Sequence, residues 1–246
     1  MLIMREPHKN LEVHRGAEGW RECIANPPGH WQTHQGALRL ARAWADSDPE
    51  FPPDLARAFW TTPFVSFIPL IGIPAYEVPM PGGWLGAIPD LFVLGTISGE
   101  LAVLVVQSKV LDEVGPSLDR WLMTPAPGRL RRLAFLKAEL NLPDSLPDDT
   151  CCNLVHLAAA PLLEARRLKA HYAAMMVVAF SLSDSCRQEY AEFARLLHVT
   201  GRPGLAERAP VHIEPELWIG WVDAAEVTAR ASPTTRTRTR SASSGR

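Results

Sequence analysis

With 246 residues, 47% of them hydrophobic and 21% charged, the chain has ordinary globular composition and the length to bury a substantial core. Net charge is −2, but residues 230–246 hold five arginines and no acid, so the remainder carries 20 basic against 27 acidic side chains, a net of −7. That balance is unlike the general electrostatic footprint of a nucleic-acid binder. The apolar window from Pro63 to Met80 is broken by Pro69, Pro74 and Pro79, which excludes a membrane helix there. The early Arg5-Glu6 predicts no signal-peptide core. Cys23, Cys151, Cys152 and Cys186 form no Cys-x-x-Cys or Cys/His ligand spacing, so four free thiols in a reducing cytoplasm are expected.

In chain order, residues 1–30 read as an irregular polar segment ending in the loop Asn26-Pro27-Pro28-Gly29. Thr33 caps a helix to about Ala45, whose Ala37, Leu40, Ala41 and Trp44 fall at helical spacing. A short helix follows from Leu55 to Trp60, opened by Pro52-Pro53. A first core strand is placed at Ile73 to Val78, and Pro81-Gly82-Gly83 reads as a turn. Two apolar runs, Asp90 to Ile97 and Glu100 to Lys109, are separated only by Ser98-Gly99, the signature of a two-residue hairpin. The second run is apolar on both faces and reads as a buried central strand. Helical stretches follow to Leu122, from Arg129 to Leu140 and from Asn153 to His171. Ala174 to Ser181 reads as a buried strand, Cys186 to Leu197 as an amphipathic helix and Leu217 to Val222 as a last strand. The Arg/Ser/Thr tail, 230–246, reads as disordered. Residues 31–225 then form a single α/β domain, with a central mixed sheet of about five strands flanked by helices.

In a hairpin with a Ser98-Gly99 loop, directly opposed residues have numbers summing to 197, so Asp90 faces Gln107. Alternation places Lys109 on the same face as Gln107, and opposed Cβ atoms lie about 4.5–5.5 Å apart. An acid, an amide and an ammonium therefore meet at the hairpin end remote from its turn. A plain structural explanation is an Asp90–Lys109 ion pair at the sheet rim, bridged by Gln107.

Pro89-Asp90, a hairpin and then Gln107-Ser108-Lys109 resemble the Pro-Asp…(Asp/Glu)-x-Lys signature of the restriction-endonuclease-like, or PD-(D/E)XK, nuclease superfamily. The order α-βββ-α-β is also similar to that superfamily's core. The segment from Val106 to Val110, with Gly115-Pro116 and Trp121-Leu122 after it, is similar to an uncharacterised bacterial domain family. The likeness also takes in Leu154-Val155-His156, Met175 to Ser181 and Leu217 to Val222, and it covers roughly residues 30 to 222. The resemblance implies Mg²⁺-dependent phosphodiester hydrolysis of nucleic acid. Asp90, the residue at 107 and the Ser108 backbone carbonyl would hold the metal, and Lys109 would orient water or stabilise developing charge. The departure is Gln107, an amide where the pattern has an acid. Glu77, Asp112 and Glu113 are candidates for the missing charge. The alternative is a catalytically inactive binding or scaffold protein of the same fold, and a third possibility is an unrelated small-molecule enzyme using the same pocket.

Arg129, Arg131 and Arg132 open one helix, and Arg166, Arg167 and Lys169 end another. Each group could face a phosphate backbone, with solvated helix faces as the plainer account. His156, between Val155 and Leu157, reads as a satisfied half-buried histidine, and Trp84, Trp218 and Trp221 as packing residues.

Overall fold

The computed structural model describes residues 3–4, 20, 35–47, 51–83, 85–110, 115–123, 126–180, 184–210 and 214–224. Glu100–Val110 (β4) forms the centre of a seven-stranded mixed sheet because its side chains are apolar on both faces, with Ala102 to Val106 all fully buried. On its amino-terminal side it pairs antiparallel with Leu91–Ile97 (β3), which pairs antiparallel with Ile68–Pro74 (β2), which in turn carries the two-residue strand Ile3–Met4 (β1). On its other side lies Tyr172–Phe180 (β5), parallel to it, then Glu216–Asp223 (β7), parallel to β5, and finally Ala206–Ala209 (β6), antiparallel at the edge.

The hairpin register follows the loop. Ile97 pairs with Glu100 and Leu91 with Val106. Ser98 and Gly99 both adopt positive φ, at 51° and 91°, as a turn matched to strand twist requires. The first core strand begins earlier than its hydrophobicity predicts, at Ile68 rather than Ile73. Pro69 and Pro74 are accommodated because β2 has only two-residue β1 beyond it and shifts register between Pro69 and Ile71.

Parallel pairing of β4 with β5 demands a long crossover. It is made by Leu118–Leu122 (α3), Pro127–Leu140 (α4) and Cys152–Leu168 (α5). Alternation along β4 sends Val103 and Val105 into one core with α4 and α5, and Ala102, Leu104 and Val106 into another. The second core contains Leu40, Ala41 and Trp44 of Gln35–Asp46 (α1) and Leu55 and Ala58 of Pro53–Ala58 (α2). A 3₁₀ turn, Pro63–Ser66, leads from α2 into β2, and Asp184–Leu196 (α6) leads from β5 towards β6. The order helix, three antiparallel strands, helix, parallel strand is the expected one. Strand β6, with only four residues and two of them charged, lacks the apolar run that marks the other strands. No helix among the described residues is long and apolar enough to cross a membrane.

Candidate functional site

At the carboxyl end of β4 the two helical layers part, leaving an open cleft of roughly 520 Å³. Such a crevice beyond the carboxyl ends of strands is where α/β sheets generally bind ligands. Asp90, Gln107, Ser108 and Lys109 all line it, as the hairpin register requires. By alternation Gln107 and Lys109 share the α5 face of β4, while Ser108 faces α1.

Asp90 precedes the first paired residue of β3, and its carbonyl accepts from the Ala75 amide at 3.1 Å. Its carboxylate turns back over the strand end. Oδ2 accepts from Gln107 Nε2 at 2.7 Å and from the Ser108 amide at 2.7 Å, and also from the Ser108 hydroxyl. The Ser108 side chain was not assigned from the sequence, because alternation directs it away from Asp90. It reaches the carboxylate because Asp90 lies just beyond the ladder. Ser108 also lies close under Gly36 of α1, where an added Cβ would be 2.5 Å from its hydroxyl oxygen.

Gln107 Nε2 also donates to the Ser108 carbonyl at 3.3 Å. Both of its partners are acceptors, so the amide is held with its NH₂ towards Asp90. Of the three groups expected to ligate Mg²⁺, the Asp90 carboxylate and the Ser108 carbonyl are thus bridged by the nitrogen, not the oxygen, of the third, Gln107. Mg²⁺ needs charged or neutral oxygens in octahedral array. Here one carboxylate oxygen accepts three hydrogen bonds, and among the described residues no three His, Cys, Asp or Glu side chains converge. Hydrogen-bonded in this way, Asp90, Gln107 and the Ser108 carbonyl do not by themselves fit a resident Mg²⁺. Glu77 is exposed and accepts from the Gly86 amide at 2.7 Å, outside the cleft lining. Asp112 and Glu113 lie outside the described residues, as do the Arg-rich tail, Cys23 and Trp84.

Lys109 carries its charge to the α5 side, within electrostatic reach of Cys151 and of Glu189 on α6. The arginines opening α4 diverge. Arg131 is exposed, and Arg129 stands over the Trp121 ring at 5.7 Å while donating to the Trp121 carbonyl. Arg132, 9% exposed, lines the cleft. Its Nε donates to the Pro81 carbonyl at 3.0 Å and its Nη2 to that of Met80 at 3.3 Å. It thereby anchors the loop that presents Leu85 and Ile88, 63% and 46% exposed, at the rim. Burial lowers the guanidinium pKa from 12.5, opposed by Glu77, yet the group remains a cation.

His156 and Trp121 complete the wall. His156 is satisfied as expected, with Nδ1 at 2.7 Å from the Cys152 carbonyl, and it also meets the Trp121 ring edge-on at 5.5 Å. Nothing local signalled that it would line the cleft. Burial, then Arg132, lower its pKa from 6.5, while the Cys152 carbonyl opposes them. At the far end of α5, Arg166 pairs with Glu139, and Arg167 holds the buried Glu164 at 2.6 Å. Those cations serve the fold. Trp221 is buried against Tyr190, and Trp218 packs on the α1-side core. Cys151, Cys152 and Cys186 are buried, with burial pushing the Cys152 thiol up to about 12.

Residues 14–226 match a family model described as Domain of unknown function (DUF6946). No curated protein and no solved structure matches the chain.

Proposed function

The chain belongs to the DUF6946 family, and on that premise we propose that it is a nuclease-like domain that binds a phosphodiester-bearing ligand without a resident metal and without cleaving it. One observation carries this reading. The Gln107 amide nitrogen, 2.7 Å from Asp90 Oδ2 and 3.3 Å from the Ser108 carbonyl, takes the position between two ligands where the resembled nucleases would hold a cation. The Asp90 charge is then engaged within the protein, and among the described residues Lys109 and Arg132 line the cleft as cations. Two cations beside exposed apolar side chains suit a short phosphodiester segment. The acidic body disfavours tracking along a long duplex, where many phosphate contacts would be needed.

A second reading, Mg²⁺-dependent hydrolysis, has one observation in its favour: Asp90, the Ser108 carbonyl and Lys109 share one strand end. It requires the Gln107 amide to swing away and a further acid to enter.

Anisotropy of a short labelled single-stranded oligonucleotide separates the two. On the first reading it binds equally in EDTA and in Mg²⁺, stays intact, and loses affinity severalfold in Lys109→Ala. Binding or cleavage that needs Mg²⁺ and disappears in Asp90→Ala would overturn that reading in favour of the second.

A further inference from the structure

We infer that His156 selects the ligand of this cleft, accepting through Nε2 a hydrogen bond from a base N–H or sugar hydroxyl that lies beside the bound phosphodiester. The inference rests on the phosphodiester-binding reading above and adds the chemistry of the neighbouring group.

A carbonyl oxygen can only accept, so the 2.7 Å approach of Nδ1 to the Cys152 carbonyl places the hydrogen on Nδ1 and the lone pair of the neutral ring on Nε2. The ring is held from two sides, by that bond and by the edge-on Trp121 indole at 5.5 Å. Trp121 is itself covered by Arg129. His156 is therefore a fixed acceptor, partly buried, on the wall of the cleft that Lys109 and Arg132 also line. A phosphodiester is attracted by the charges of Lys109 and Arg132 but has no hydrogen to give His156. A nucleotide unit supplies both: anionic oxygens for the two cations, and a base or sugar donor for the imidazole. Leu85 and Ile88 at the rim offer apolar cover for the rest of such a unit.

The groups around the ring keep it neutral near pH 7. Arg132 on α4 and Lys109 on β4 line the same cleft, with Asp90 engaged by its own donors. Arg129 on α4 and Asp119 on α3 act on the neighbouring Cys152, whose thiol stays protonated. Burial and Arg132 both disfavour the imidazolium.

Acidification separates an acceptor from a mere positive neighbour. Protonation removes the Nε2 lone pair but adds a cation, so a ligand that donates to His156 binds more weakly, whereas an anion with no donor binds no more weakly. Calorimetric titration from about pH 8 to about pH 5 with a dinucleoside phosphodiester and with sulfate, neither of which titrates its anionic group in this range, reads the two trends. The dinucleotide is expected to weaken on acidification, by up to about threefold to tenfold once the imidazole is protonated, the range set by one neutral hydrogen bond. Sulfate affinity holds or rises. His156→Phe binds the dinucleotide more weakly than wild type at about pH 8 and shows no pH dependence, and His156→Gln, which keeps an acceptor oxygen, retains most of the affinity and loses the pH dependence. Thermal melts identify a variant that has lost its fold, in which case the two wild-type trends decide. If both ligands bind but their affinities change in parallel with pH, or if His156→Phe binds the dinucleotide like wild type, the inference is overturned while phosphodiester binding stands. Failure of the wild type to bind either ligand overturns both.

Discussion

Gln107→Glu exposes the chemistry of the strand end most directly. In wild type, Gln107 Nε2 donates to Asp90 Oδ2 at 2.7 Å, a charge-assisted bond whose loss costs about 1.5–3 kcal/mol. The substitution removes that donor and puts a carboxylate oxygen in its place. Two unit charges at that separation repel by about 6 kcal/mol at an effective dielectric constant of about 20, before relaxation. Rotation of the new side chain or uptake of a proton relieves most of this. A net loss of about 2–4 kcal/mol is expected without metal, lowering the melting temperature by roughly 5–12 °C for a domain of this size. The same variant now has two carboxylates beside the Ser108 carbonyl, a set that does fit Mg²⁺. Mg²⁺ at about a hundred times its dissociation constant would return about 2.7 kcal/mol. The assay is a pair of thermal melts, in EDTA and in Mg²⁺, for wild type and variant. Wild type should show no Mg²⁺-dependent shift and the variant a large one. A variant as stable as wild type in EDTA and indifferent to Mg²⁺ would refute the claim that the amide stands in a cation's place.

Gly36→Ala gains about 1 kcal/mol of helix propensity, yet it should destabilise the protein by about 1–2 kcal/mol, because the new Cβ lies 2.5 Å from a Ser108 hydroxyl committed to Asp90. In a Ser108→Ala background, where that oxygen is gone, the same change should be close to neutral; equal effects of Gly36→Ala in both backgrounds by urea denaturation would disprove the contact. His156 has a folded pKa below its unfolded value of 6.5, so its contribution is intact above about 6.5 and lost as pH falls from there through the folded pKa, while the unfolded chain takes the proton first. His156→Gln should therefore show a shallower loss of stability than wild type between about pH 6.5 and pH 5, and superimposable profiles would contradict the assigned environment. Arg132→Met leaves the Met80 and Pro81 carbonyls without their guanidinium donor. A loss of about 2–3 kcal/mol in urea denaturation is expected, together with weaker oligonucleotide binding; full stability would mean that the arginine does not anchor the rim loop.

Much of the architecture was legible because it is written in short-range patterns. A two-residue loop of Ser and Gly dictates which numbers oppose across β3 and β4, so Asp90 and Gln107 are brought side by side just past the last pair, Leu91 and Val106. Unbroken apolarity marks β4 and β5 as central, and helical spacing in α1 marks the face that Leu40, Ala41 and Trp44 bury. Both signals are periodicities that a backbone must obey wherever the chain goes. Which side of a strand end a carboxylate closes over is not periodic. Asp90 lies one residue beyond the ladder, where alternation no longer constrains it, and only packing brought it to the Ser108 hydroxyl and the amide. Arg132 and His156, 42 and 66 positions beyond Asp90 in the chain, reach the cleft because parallel pairing of β4 with β5 folds α4 and α5 back across the sheet. Arg132 belongs to a basic run whose members diverge, and His156 sits between apolar residues, so neither sequence context tells which side chain faces the cleft. Local spacing determined the strands, their register and a polar cluster; the long crossover decided which cations and which imidazole face that cluster, because such contacts join segments with no shared local pattern.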